Sequence, residues 1–142
     1  MQRGLLNLLR QIEMSKLPFR CYQKGLMCLL HTYKMLLRVF LVLQCDFVIH
    51  TVGPIVQGKL TTRHEELLRS CYETCLKIAD ENNVESIAFC CISTGVFMFP
   101  NRRAAEIAVQ TVKKYKQSTG SQIKVIFNVF KDLDREIYKE LL

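Results

Sequence analysis

Cys91-Ile92-Ser93-Thr94-Gly95-Val96-Phe97-Met98-Phe99-Pro100, running into Asn101-Arg102-Arg103-Ala104-Ala105, decides the fold. It reads as strand, loop and helix. Ile87 to Ile92 form an unbroken apolar, β-favouring run, the pattern of a strand buried on both faces, and the Ala-rich segment after Pro100 has helical composition. A buried strand that feeds a helix implies a parallel sheet. At the strand end, Ser93, Thr94 and Gly95 can turn successive backbone N–H groups outward, and Gly95 has no Cβ to hold a ligand away. This turn is a candidate anion cradle. Small polar residues are also the ordinary choice at any strand-to-helix turn, so the cradle gains weight only from its neighbours.

Two other segments supply that context. His50-Thr51-Val52-Gly53-Pro54 closes an apolar strand that includes Phe47 to Ile49, and Val125-Ile126-Phe127-Asn128-Val129-Phe130-Lys131-Asp132 closes a third. Ligands of open α/β sheets bind at the carboxyl ends of the strands, so three strand ends are expected to line one crevice. His50 reads as a hydrogen-bonded core residue rather than a base, and Gly53-Pro54 as the bend that leads the chain out of the sheet.

These blocks resemble the macro domains, and within them the branch that includes zinc-dependent ADP-ribosyl hydrolases. The resemblance covers about residues 45–142 and rests on Val48-Ile49-His50-Thr51-Val52-Gly53-Pro54, Cys71-Tyr72 with Ile78-Ala79, Ile87-Ala88-Phe89-Cys90, Ile92-Ser93-Thr94-Gly95-Val96-Phe97 and Phe127-Asn128-Val129-Phe130-Lys131-Asp132. It implies an α/β fold, three layers of helix, mixed sheet and helix, that binds ADP-ribose. It also implies roles: Ser93, Thr94, Gly95, Val96 and Phe97 around the diphosphate and distal ribose, with Phe97 against the ribose face, and Asn128 and Phe130 at the adenosine end. Backbone donors at a nest and a helix start suit a diphosphate without a lysine.

Residues 1–44 read differently, as a basic, apolar N-terminal segment outside the resemblance. The family's Gly-Asp-Ile-Thr-like adenine element, its Asn-Ala-Ala-Asn-like segment and its glycine-rich loop are not found there, so the N-terminal part of the fold reads as atypical or incomplete. Seven Lys or Arg face one acid (Glu13) in this segment, so it carries +6 of the formal net charge of +7. A frame-shifted or mis-joined origin is one reading of the segment, and a helix packed on the domain is another. Cys21, Cys28 and His31 bring together zinc-binding ligand types, and zinc is the one cofactor left open. Their Cys-x6-Cys-x2-His spacing is wider than the family's, so the family's ligand roles are not carried over.

The rest of the chain alternates helix and strand. Thr61 caps a helix whose buried stripe is Leu67, Leu68, Cys71, Cys75, Leu76 and Ile78. A second helix spans Asn101 to Tyr115, buries Ala104, Ala105, Ile107, Ala108 and Val112, and ends in lysines that complement its carboxyl terminus. Thr119-Gly120 turns into a strand over residues 123–129, and a last helix, capped by Asp132, buries Ile137, Tyr138 and Leu141. Cys90 and Cys91 point to opposite faces of their strand, and Cys71 and Cys75 read as core packing.

Composition excludes several classes. Leu26 to Val42 is apolar, but His31, Lys34 and Arg38 interrupt it, and a spanning helix wants about 20 mainly apolar residues. No membrane span is therefore expected. The basic balance lacks the aromatic interleaving of a nucleic-acid site, so no nucleic-acid partner is expected. Seven cysteines without framework spacing point to a reducing compartment, cytoplasmic or nuclear, rather than secretion. The expected partner is ADP-ribose or an ADP-ribosylated protein, and the expected function is ADP-ribose binding related to removal of ADP-ribose from proteins. The alternative is a catalytically inactive, truncated macro domain acting as a binding or interaction module. Catalytic residues are not identifiable.

Overall fold

The computed structural model describes residues 45 and 47–142. The chain divides into two units, residues 1–50 and Thr51–Leu142. Of the first, Cys45 and residues 47–50 lie in irregular backbone, with His50 exposed. His50 is thus not the core residue expected, and residues 47–50 are irregular, making no ladder among the described residues; without ladder partners an apolar run has no reason to stay pleated. The second unit runs α1 (Thr62–Glu81), β1 (Ser86–Cys90), α2 (Asn101–Thr119), β2 (Lys124–Asn128) and α3 (Asp132–Leu141).

Strands β1 and β2 pair in parallel, Ser86 opposite Lys124 through Cys90 opposite Asn128, with α2 as the crossover. Phe89 and Phe127 are register partners and so share a face. On that face the ring of Tyr72 from α1 packs edge-on to Phe89 with centroids 5.0 Å apart, and that of Tyr138 from α3 lies 4.9 Å from Phe127. Ala105 and Val109 of α2 join Ile137 and Tyr138 in one cluster, against which Phe127 and Val129 pack. The aromatic line through helix, strand, strand and helix ties the helical layer to the sheet. The opposite face carries Ala88, Cys90 and Asn128, all exposed. Burial of β1 is therefore one-sided among the described residues, in contrast to the two-sided burial expected.

Helix α1 begins as expected, with a capping box. The Thr61 hydroxyl accepts from the His64 amide at 3.4 Å, and His64 Nδ1 accepts from the Thr61 amide at 3.2 Å. Its buried side chains are Leu68, Cys71, Tyr72, Cys75, Leu76 and Ala79. Leu67 is 38% exposed and Ile78 only half-buried, because the helical phase centres on Tyr72, which is fully enclosed. Burying Leu68 and Leu76 is worth about 1.5–3 kcal/mol each. Helix α2 runs to Thr119, further than Tyr115, and stops where Gly120 takes a left-handed φ of 71°. Lys131, without a side-chain bond, takes the N-cap position of α3 rather than Asp132, which lies inside the first turn and ion-pairs with Arg135 at 2.8 Å. Leu141 is partly buried against the same cluster as Ile137 and Tyr138.

Helix α1 is pinned to α2 at both ends. Arg103 forks onto Glu65 at 2.7 and 2.8 Å and also reaches Glu106 at 3.0 Å. At the other end the Tyr115 hydroxyl and Ser121 Oγ both donate to Asp80, at 2.8 and 2.7 Å.

Candidate functional site

The loop from Cys91 to Pro100 leaves the carboxyl end of β1 and closes on itself before α2. Thr94 donates through its hydroxyl to the Cys91 carbonyl at 3.1 Å; the Met98 amide donates to Gly95 O and the Phe99 amide to Ser93 O, both at 3.0 Å. Ser93 and Met98 take left-handed φ values of 65° and 56°. Such non-glycine residues cost on the order of 1 kcal/mol each and persist where the surroundings hold them. Gly95 is not the left-handed residue; its pro-Cβ direction opens onto free space. With Met98 and Phe99 amides spent inside the loop, the N–H groups of Gly95, Val96 and Phe97 have no acceptor among the described residues. Gly95 and Val96 are exposed, Val96 at 92%, and Phe97 is half-buried.

Positive potential at this loop comes from the backbone. Pro100 takes the N-cap position of α2 without a side-chain bond, so the positive end of that helix dipole lies where the loop ends. The two arginines nearby are occupied: Arg103 by Glu65 and Glu106, Arg102 by Glu140 at 3.0 Å. An anion at this loop would meet N–H donors and a helix dipole.

A second segment braces the loop from below. Gly53, Pro54 and Val56 are buried, and the Val56 amide donates to Phe97 O at 2.8 Å. A Cβ on Gly53 would run into Ser93 Oγ and stand 2.6 Å from Ile92 Cγ2, so Gly53 serves close approach. The strand-end crevice thus has two strand ends and one irregular segment, not three strands. Ser93 Oγ is buried without a hydrogen bond among the described residues. Beneath it, the buried Tyr72 hydroxyl has the Ile92 backbone and Tyr138 as polar neighbours, and burial pushes its ionisation far up.

Asn128 ends β2 directly beside Cys90, and its carbonyl accepts from the Cys91 thiol at 4.0 Å. Phe130, two residues on, is 98% exposed. The parallel register therefore brings the residue sets Ser93 to Phe97 and Asn128 to Phe130 to the same edge of the sheet. Cys91 packs against the core cluster, and burial, with the Asp134 charge next in weight, raises its thiol to about 11. Burial raises Cys75 likewise to about 11, and Cys71 donates to Val52 O at 3.5 Å, so both act as core residues. Cys21, Cys28 and His31 lie outside the described residues. Among the described residues no three His, Cys, Asp or Glu side chains gather where a metal could bind.

Asp134 escaped sequence reading. It is 4% exposed and accepts from Asn101 Nδ2 at 2.6 Å, joining the first residue of α2 to the first turn of α3. Its signal was its phase: Asp134 sits three and four residues before Ile137 and Tyr138, on the apolar stripe.

A family model for the Macro domain matches residues 22–108. The chain belongs to the macro domain family. This macro domain is 54% identical over 100 residues to a protein-ADP-ribose hydrolase of Treponema medium, covering 70% of this chain and 38% of that protein. It is similar to the Oceanobacillus iheyensis macrodomain solved with ADP (TM-score 0.59, 34% identity, 67% of this chain and 48% of that one). It is also similar to the Trypanosoma brucei macrodomain solved in complex with ADP-ribose (TM-score 0.57, 30% identity, 66% and 38%). The macro domain described here thus spans 38% of the length of its bacterial hydrolase relative. Its α/β class is that of these solved macro domains, and no helix among its described residues is long and apolar enough to cross a membrane.

Proposed function

We propose that the chain binds ADP-ribose at the edge formed by the loops after β1 and β2, and that the ligand is presented on ADP-ribosylated proteins. The observation that carries this reading is the run of unpaired N–H groups at Gly95, Val96 and Phe97, on an exposed loop beside the start of α2. A diphosphate fits such donors without a lysine. Asn128 and the uncovered ring of Phe130 suit the adenosine end, where an aromatic face can stack on a base. The relatives solved with ADP and with ADP-ribose support this choice of ligand.

Removal of ADP-ribose from proteins is the reading for activity, supported by the name of the Treponema medium relative. The described residues supply ligand binding and orientation. No water-activating group is assigned among them, and zinc held by Cys21, Cys28 and His31 stays a proposal on residues outside the description. The free thiols of Cys71, Cys75, Cys90 and Cys91 favour a reducing, cytoplasmic or nuclear compartment. A second reading is a binding module without turnover.

Thermal melting of the full chain with ADP-ribose tests the binding. At a hundredfold excess over Kd, stabilisation of about 2.7 kcal/mol is expected; an unmoved melting curve at millimolar ligand contradicts the reading. Turnover of a mono-ADP-ribosylated protein separates hydrolase from binding module.

A further inference from the structure

We propose that Asp134 is a positioning residue that clasps the two strand-end loops together through Asn101, holding the loop after β1 against the segment after β2 in the arrangement that ligand binding requires. The ligand named in the test rests on the ADP-ribose reading above; the clasp itself rests on geometry. A carboxylate in the first turn of a helix ordinarily stays in solvent, where it complements the dipole. Asp134 instead turns inward to 4% exposure, and a buried carboxylate is costly unless it is paired. It accepts a hydrogen bond from Asn101 Nδ2 at 2.6 Å, and Asn101 follows Pro100, where the cradle loop ends. The other end of that loop is Cys91, whose thiol donates to Asn128 O at 4.0 Å and feels the Asp134 charge. Asp134 itself follows closely on Phe130 and Lys131. One carboxylate therefore stands beside both ends of the cradle loop and at the root of the segment that bears Phe130.

The test uses the full chain in three forms: the parent, Asp134→Ala, and the swap Asn101→Asp with Asp134→Asn, in which the amide donates in the reverse direction. Two quantities are read: ADP-ribose affinity by titration calorimetry, and hydrogen exchange at the Met98 and Phe99 amides, whose bonds close the loop. Asp134→Ala is expected to bind about tenfold more weakly, as when the competent arrangement falls to roughly a tenth of the population. Its Met98 and Phe99 amides should exchange faster while those of α1 do not, and the swap should restore both readouts. Parent-like affinity and exchange in Asp134→Ala overturns the clasp, and so does a swap that recovers neither. Should Asp134→Ala not fold, Asn101→Ala removes the same hydrogen bond from a half-buried position and takes its place. A parent that binds no ADP-ribose sinks the ligand reading alone, because loop exchange still decides the clasp.

Discussion

Replacing Gly53 by alanine should cost stability out of proportion to one methyl group. The added Cβ would collide with Ser93 Oγ and lie 2.6 Å from Ile92 Cγ2, where ordinary contact begins at about 3.4 Å. The atoms it meets belong to the tightest part of the cradle loop: Ser93 is left-handed at φ 65°, and its carbonyl accepts from the Phe99 amide at 3.0 Å. Separation by roughly 1 Å is needed, and the flexible choice, moving the 53–56 segment outward, strains the bond from the Val56 amide to Phe97 O. Overpacking of this kind costs about 1–3 kcal/mol. For a domain of this size each kcal/mol lowers Tm by about 4 °C, so the loss should be roughly 4–12 °C by circular dichroism. ADP-ribose affinity should fall as well, because the strained Val56 bond is the one that holds the Phe97 end of the cradle. Gly95→Ala is the internal control: its Cβ meets nothing within 4 Å, so its Tm should match the parent. A Gly53→Ala protein with parental Tm and affinity would refute the reasoning that the 53–56 segment sets the loop's position.

Other outcomes follow from the same structure. Arg103→Ala should destabilise by about 1 kcal/mol, discounted for an arginine side chain that is 39% exposed, and the loss should shrink in high salt. The Arg103 hydrogen bond holds the Glu65 carboxyl below its ordinary range, so its stabilisation is present above the unfolded carboxylate pKa and is lost as pH falls through the lower, folded value. Acid titration of parent and Arg103→Ala should therefore converge at low pH; parallel curves would contradict the pairing. Iodoacetamide at pH 8 should modify exposed Cys90 well ahead of buried Cys75 and of Cys91, both raised to about 11. Peptide mapping that finds Cys75 modified first would show α1 to be less firmly seated than described.

The helices were legible because their signals are local. Thr61 caps α1, Gly120 stops α2, and the i, i+3, i+4 spacing of Leu68, Cys71, Cys75 and Leu76 declares a buried face whatever it packs on. Faces of the sheet were not legible. An unbroken run such as Ile87 to Ile92 is compatible with cover on either side, and only the register of Phe89 with Phe127, and the helices packed on that pair, shows that Ala88 and Cys90 lie exposed. The segment around His50 carried a strand's composition but no ladder, since pairing is a long-range property. At the site, Ser93 to Phe97 could be singled out by residue type, yet their detailed roles were not. Gly95 leaves open space as its missing Cβ suggested, but the left-handed backbone falls on Ser93 and Met98, and Gly53 proved to matter for what presses against it. Asp134 was hidden because an acid early in a helix looks like a dipole partner.

Titration calorimetry of the folded parent with ADP-ribose, beside Gly95→Glu, tests the central claim most directly. The glutamate would put bulk and negative charge into open space beside the free N–H groups, and the fold should tolerate it because nothing stands within 4 Å. The parent should bind with micromolar affinity, and the equally stable variant should lose that binding. No heat from a folded parent, or equal affinity in the two proteins, would contradict the claim.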